Sequence, residues 1–183
     1  LFVDVAFQQI WDPDGQLLSL SDFYDAANFD TYIGSIGDDF LVGASDFGVG
    51  LTGGRGDDMI VGSGSDTLRY DLEEEMEAEA ILGEALNRSY HHVEVNLGDG
   101  SVDLNKILID SQSIADHHLA AAEALDTWGD TDTIRGVENV RGTSNADILF
   151  GSAESNQIFG GAGNDVIYGG SGSDILDGGV GAD

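Results

Sequence analysis

Acidic residues recur at a fixed spacing in this chain, and they are the side chains whose chemistry stands out. The spacing is 18 residues in two series and 19 in a third: Asp147, Asp165 and Asp183; Asn156 and Asp174; Asp39 and Asp58. Carboxylates stacked in this way repel one another unless a cation lies between them. A hard cation that takes six or more oxygens from carboxylates and turn carbonyls would remove the repulsion. Calcium suits such turns better than magnesium, which requires stricter geometry.

The acidic residues lie in nine-residue repeats that are rich in glycine. Gly160 begins GGAGNDVIY, Gly169 begins GGSGSDILD, and Gly178 begins a third copy, GGVGAD. Nearer the start, the copies are GGRGDDMIV from Gly53 and GSIGDDFLV from Gly34. More degenerate copies begin at Gly43, Gly62, Gly142 and Gly151. The shared pattern is GGxGxDxUx, in which U is a large aliphatic residue, and such a period is typical of a solenoid.

Each position of the repeat has a physical role. Glycine permits a positive φ and lets successive turns approach closely. The three residues after the aspartate form a short strand, so that the U side chain points to one face of the sheet. We expect the U residues to form the inner core: Leu41, Ile60, Leu68, Leu149, Ile158, Ile167 and Leu176. Two repeats make one coil, which predicts a mainly β fold, a right-handed parallel β-roll (β-solenoid) with a helix-containing insertion.

The repeats resemble the repeats-in-toxin (RTX, haemolysin-type) calcium-binding nonapeptides, which form parallel β-rolls in secreted bacterial proteases, lipases, epimerases, toxins and adhesins. The resemblance covers residues 34–70 and 132–183. It implies that the residues at the sixth position are calcium ligands: Asp39, Asp58, Asp66, Asp147, Asp165, Asp174, Asp183 and the neutral Asn156. The turn glycines belong to the same predicted sites: Gly34, Gly37, Gly54, Gly56, Gly161, Gly163, Gly170, Gly172, Gly179 and Gly181.

The remaining segments divide the chain further. Residues 1–33 alternate apolar and polar side chains and are predicted to be strands that cap the first repeat block, 34–70. Residues 71–130 are predicted to be an insertion before the second repeat block, 131–183. Within the insertion we expect a helix over 72–87, a hairpin around Val93–Gly100 and a second helix over 114–125. An outward apolar patch formed by Ile148, Phe150, Val166 and Tyr168 is expected to be covered by a helix of the insertion or by another domain.

Two histidine pairs raise the alternative of a transition-metal site. His91 and His92 precede the predicted hairpin, and His117 and His118 lie in the second predicted helix. Adjacent histidines on a strand point to opposite faces, and the chain has no HExxH, GxSxG or Walker motif. We therefore favour structural or solvated roles for the histidines and expect a module that is not an enzyme.

The composition limits the partners. Acidic residues outnumber basic ones 35 to 6, for a formal net charge of −29, which argues against nucleic acid. Disordered acidic chains are usually poor in apolar residues, whereas 41% of this chain is hydrophobic. No apolar run is long enough to cross a bilayer. The chain has no cysteine, which excludes disulfides and thiolate metal sites. It begins without methionine, so we expect it to be part of a longer protein.

Together these observations predict a calcium-binding module of a secreted bacterial protein, exported by type I secretion and folded by extracellular calcium. The alternative is a calcium-dependent module of the adhesin type, which binds a polysaccharide or a cell surface.

Overall fold

The computed structural model describes residues 2–4, 9–11, 17–19, 31–34, 37–43, 48–63, 65–72, 92–103, 108–109, 112–113 and 118–183. These residues are mainly β, as the repeats predict, and they form two large sheets with two short hairpin-like pairs beside them. Consecutive repeat strands alternate between the two large sheets, because each turn at the start of a repeat reverses the chain between them.

The first large sheet has six parallel strands. In chain order they are β4 (Thr31–Ile33), β6 (Gly50–Thr52), β8 (Thr67–Arg69), β16 (Asn139–Arg141), β18 (Gln157–Ala162) and β20 (Ile175–Val180). Their central residues stand in register, so that Leu68 pairs with Val140 and Val140 with Ile158. The second strand after the insertion, β16, therefore lies directly beside β8, the last strand before the insertion, and the two repeat blocks share one sheet.

The second large sheet has ten strands. Its repeat strands are β5 (Phe40–Val42), β7 (Met59–Val61), β15 (Thr131–Arg135), β17 (Ile148–Phe150) and β19 (Val166–Tyr168). Three N-terminal strands extend it beyond β5: β1 (Phe2–Asp4), β2 (Gln9–Trp11) and β3 (Leu17–Ser19). Of these, β1 is parallel to β5 and antiparallel to β2.

Two strands of the insertion enter this second sheet between β15 and β17. They are β9 (Glu94–Asn96) and β14 (Glu123–Leu125). Strand β14 is antiparallel to both of its neighbours, β15 and β9, and β9 is parallel to β17. The sheet is thus continuous through the insertion, although its repeat strands are separated there.

The insertion differs from the sequence prediction. The second helix is wrong where the structure describes it: the segment holds β13 (His118–Leu119) and β14, joined by a turn in which Ala122 has a φ of 55°. Alanine-rich composition favours a helix, but pairing with β9 and β15 satisfies the backbone here instead. Asp71 and Leu72 are helical, and the rest of the first predicted helix lies outside the described residues.

The hairpin predicted around Val93–Gly100 is only partly correct. Its first strand, β9, is present, but β9 does not pair with the strand that follows it. Strand β9 pairs with β14 and β17, whereas the following strand, β10 (Val102–Asp103), pairs with β13. A further short pair joins β11 (Leu108–Ile109) to β12 (Gln112–Ser113). The polar residues of β9 are buried along with its valine, because other segments lie over their face of the sheet: Nδ2 of Asn96 donates to the main-chain oxygens of Gly100 and Ala120.

The core lies between the two large sheets. Five of the predicted U residues are buried in it, namely Leu41, Ile60, Leu68, Leu149 and Ile158. Ile167 is only partly buried, and Leu176 is wrong as a core residue because 48% of it is exposed on the edge strand β20. Residues outside the predicted U positions complete the core: Tyr70, Val93, Val95, Ala124 and Ile134.

The outward patch is covered in part, by strands rather than by the expected helix. Leu119 of β13 and Val102 of β10 pack with Ile148, Phe150 and Val166. Ile148 is fully buried as a result, whereas Tyr168 at the end of the patch stays 61% exposed. In the part of the chain that is described, no helix has the length and apolar character needed to cross a membrane.

Candidate metal centre

The sixth-position aspartates line one edge of the roll-like stack as a ladder of hydrogen bonds. In each rung, the main-chain N–H of one turn donates to Oδ1 of the aspartate in the next. Asp39 donates to Asp58 (2.7 Å), Asp147 to Asp165 (2.9 Å) and Asp165 to Asp183 (3.1 Å). The structure thus brings together the residues that the 18- and 19-residue spacings predicted to be neighbours.

Two rungs of this ladder come from outside the matching repeats. The N–H of Asp58 donates to Oδ1 of Asp132 (3.2 Å), and Tyr70 donates its hydroxyl to the other oxygen (3.1 Å). Val93 of the insertion donates to Oδ1 of Asp147 (2.9 Å). Sequence analysis missed Asp132, although it precedes Ile134 by two residues, as Asp58 precedes Ile60.

The opposite edge carries a second, more mixed ladder. Val49 donates to Oδ1 of Asp66 (2.9 Å), and Asn156 donates its N–H to Oδ1 of Asp174 (3.0 Å). Between them, Nδ2 of Asn156 donates to the main-chain oxygen of Glu138 (2.7 Å). Glu138 was also missed by sequence analysis, because the repeat that contains it is shortened to GVENVR.

The second residue of a turn determines whether the sixth-position side chain accepts a hydrogen bond from its own turn. Four turns have Ser or Thr there. In three of them, which we call the capped turns, the contacts of that residue are described: 62–66, 142–147 and 151–156. The fourth is turn 34–39, whose Ser35 lies outside the described residues. The N–H of Thr143 donates to Oδ2 of Asp147 (2.6 Å), and that of Ser63 donates to Oδ2 of Asp66 (2.8 Å). The N–H of Ser152 donates to Oδ1 of Asn156 (2.8 Å). The protein itself therefore satisfies these side chains.

Four other turns, the double-glycine turns, have Gly in that place: 53–58, 160–165, 169–174 and 178–183. Gly54 and Gly161 have φ values of 92° and 111°, a region that side chains rarely adopt. Among the described residues, Oδ2 of Asp58 and Oδ2 of Asp165 are buried without any hydrogen-bond partner. A buried carboxylate oxygen without a partner is costly, and a bound cation would remove that cost.

Burial makes the charged form of these carboxylates unfavourable. It raises the pKa of Asp58 and Asp147 to about 7, with the charge of Asp39 adding to the effect at Asp58 and that of Asp165 at Asp147. The pKa values of Asp66 and Asp165 are raised as well, chiefly by burial. A proton or a bound cation would each remove this cost at Asp58, Asp66, Asp147 and Asp165.

The predicted ligands are not all equally placed. Asp39, Asp58, Asp66, Asp147, Asp165 and Asn156 are buried, whereas Asp174 is half-buried and Asp183 is exposed. Seven predicted glycines have φ values between 92° and 118°: Gly54, Gly56, Gly161, Gly163, Gly170, Gly172 and Gly179. Gly34 and Gly181 occupy turns without this conformation, and Gly37 follows residues that lie outside the described ranges.

A metal at these turns would depend on main-chain oxygens. No three Asp, Glu or His side chains in the described ranges are grouped so that they could hold an ion. Two carboxylates and turn carbonyls form the donor set that remains, and hard oxygen donors of this kind fit calcium. Of the histidines, His92 lies 3.3 Å from Oε1 of Glu94, and His91 and His117 are outside the described residues.

Comparison with protein families agrees with this geometry. The RTX calcium-binding nonapeptide repeat matches in four copies, over residues 51–71, 141–176 and 150–183. The chain carries RTX calcium-binding repeats. These repeats bind Ca²⁺, and they form a non-catalytic module that typically occurs in extracellular bacterial proteins. No curated protein matches the chain.

The family match has a direct bearing on the ladder. Its ranges include Asp58, Asp66, Asp147, Asp165 and Asp174, and they leave out strand β15, which carries Asp132. The RTX repeats therefore make this chain a calcium-binding module. Asp132 and, in the insertion, Val93 supply rungs of the ladder that the repeat pattern does not describe.

Proposed function

We propose that this chain is a calcium-dependent folding and stabilising module of a secreted bacterial protein that is exported by type I secretion. Its two large sheets would form a right-handed parallel β-roll in which calcium lies at the turns on both edges. The single observation that carries the proposal is the pair of buried, unpartnered Oδ2 atoms of Asp58 and Asp165 in double-glycine turns.

The proposed ligands are the sixth-position side chains of the double-glycine turns, Asp58, Asp165, Asp174 and Asp183, together with carbonyl oxygens of those turns. The first glycine of each turn leaves room for the side chain to fold back over the turn, since a Cβ on Gly53 or Gly160 would collide with the aspartate of its own turn. The other predicted ligands would supply side-chain oxygens to calcium ions at neighbouring turns on the same edges. They are Asp39, Asp66, Asp147 and Asn156.

The mechanism follows from charge and linkage. At a net charge of −29, the unfolded chain repels itself, and nothing holds the aspartates of one edge together. The folded turns gather those oxygens, so that the free energy of calcium binding adds to the free energy of folding. Extracellular calcium modules bind with dissociation constants on the order of 10⁻⁴ to 10⁻³ M, which suits a protein that is exported unfolded and folds outside.

Far-UV circular dichroism during a calcium titration tests the proposal, starting from chelator-treated protein and with magnesium as the control. A saturable gain of β signal with calcium, and none at equal magnesium, is the expected result. A spectrum that is already fully β in chelator and does not respond to calcium would contradict it. Neither the matched repeats nor any feature of the described residues points to a polysaccharide ligand.

A further inference from the structure

The capped turns provide, from their own side chains, what the double-glycine turns lack. In turn 142–147, Oγ1 of Thr143 lies 3.0 Å from Oδ1 and 3.2 Å from Oδ2 of Asp147, in addition to the bond from its N–H. Ser152 also places its hydroxyl 3.4 Å from Oδ1 of Asn156. In double-glycine turns the hydroxyl is missing. The N–H of the second glycine does not donate to Oδ2 either, since Oδ2 of Asp58 and of Asp165 has no partner in the described structure.

The capped turns also lie where the hydrophobic core is complete. Their strands carry Leu68, Leu149 and Ile158, all of which are fully buried. The insertion adds Val93 and Val95 beside them, also fully buried. Burial of such side chains stabilises the folded state. The middle of the molecule is therefore stabilised by burial and by internal hydrogen bonds.

The C-terminal repeats have the opposite character. Three of the four double-glycine turns lie there, at 160–165, 169–174 and 178–183. Without a cation, these turns stack uncompensated carboxylates: the N–H of Asp165 donates to Asp183, and Oδ2 of Asp165 has no partner in the described structure.

We infer that Thr143, Ser63 and Ser152 replace calcium at their turns, and that the middle of the chain folds without calcium while the C-terminal repeats order on it only when calcium binds. This inference rests on the proposed function and adds to it which turns depend on the ion. The residue at the second position of each repeat is thus the specificity determinant: glycine for a calcium-dependent turn, serine or threonine for an independent one.

Hydrogen exchange measured by mass spectrometry in chelator and in calcium tests this on the full chain. In chelator, amides of 62–69 and 139–150 are expected to stay protected while those of 163–183 exchange freely. Calcium should then slow exchange in 163–183 by at least about tenfold and change the middle little. Uniform loss of protection in chelator would overturn the inference and leave the proposed function standing. Equal protection with and without calcium throughout would overturn both.

A variant pair provides a second readout. Thr143→Gly removes the capping hydroxyl and permits a positive φ, so exchange of 142–150 in chelator should accelerate about tenfold. Calcium should restore its protection, and the number of ions bound, measured by isothermal titration calorimetry, should rise. Ser144→Gly is the matched control, because it places glycine at the next, exposed position of the same turn. Equal behaviour of the two variants would overturn the assignment of Thr143.

Discussion

At the scale of single residues, Asp165 and Asp66 occupy the same repeat position and differ in what surrounds them. Asp66 accepts hydrogen bonds from Val49 and Ser63, whereas Oδ2 of Asp165 has no partner among the described residues. Asp165 also joins the turns on both of its sides, through Asp147 and Asp183. A bound cation should therefore stabilise the turn of Asp165 more than the turn of Asp66.

We predict that Asp165→Ala raises the calcium midpoint of folding by about tenfold, roughly 1.4 kcal/mol, because calcium affinity depends on the number of charged ligands. Asp66→Ala should raise it much less. Asp177→Ala, which removes the same charge from an exposed position of the last strand, is the control and should leave the midpoint nearly unchanged. Titration by circular dichroism measures all three, and equal midpoints for Asp165→Ala and Asp66→Ala would refute the ranking.

At the scale of elements, the insertion packs against the repeats instead of projecting from them. Strands β9 and β14 lie inside the second large sheet, and β13 brings Leu119 onto Ile148. Arg55 of the first repeat block stacks on Trp128, in the loop between β14 and β15, at 5.4 Å from the ring centroid. Insertion and repeats should therefore unfold together.

We predict that Leu119→Ala lowers the free energy of unfolding in saturating calcium by about 2–3 kcal/mol, since it opens a cavity beside Ile148. Leu176→Ala makes the same chemical change at a half-exposed site and should cost less than about 1 kcal/mol. Urea unfolding followed by circular dichroism compares them. An equal loss for both variants would mean that the insertion does not stabilise the repeats.

At the scale of the whole molecule, buried carboxylates make stability depend on pH in opposite ways with and without calcium. Burial raises the pKa of Asp58, Asp126 and Asp147 from 3.8 to about 7. Between these values the folded state binds more protons than the unfolded state. In chelator, the stability that protonation contributes is therefore present at low pH and is lost as the pH rises through about 7.

We predict that in chelator the urea midpoint rises when the pH is lowered from 8 to about 5.5. In calcium the same change should lower it, because protons compete with the ion for carboxylates. Asp147→Asn removes one of the titrating groups and should weaken the pH dependence in chelator. A midpoint in chelator that increases with pH would contradict the role given to these buried groups.

The sequence by itself determined the repeat, the ion and the neighbouring aspartates. A nine-residue period with glycine at the turns and an aliphatic residue in each strand permits few folds, and it places residues 18 apart on one edge. The spacing alone therefore placed Asp147, Asp165 and Asp183 together. The core positions Leu41, Ile60 and Leu68 followed from the same register.

Only the tertiary structure decided the rest, because it depends on contacts between segments that no local pattern links. Strand β14 lay in a segment whose composition favours helix, and pairing with β15 and β9 overrode that preference. Strand β9 was predicted, but its pairing with β14 and β17 was not. Asp132 joined the ladder by packing beside a turn 74 residues earlier in the chain. The difference between capped and double-glycine turns also required the structure, since it lies in where an N–H and a hydroxyl point.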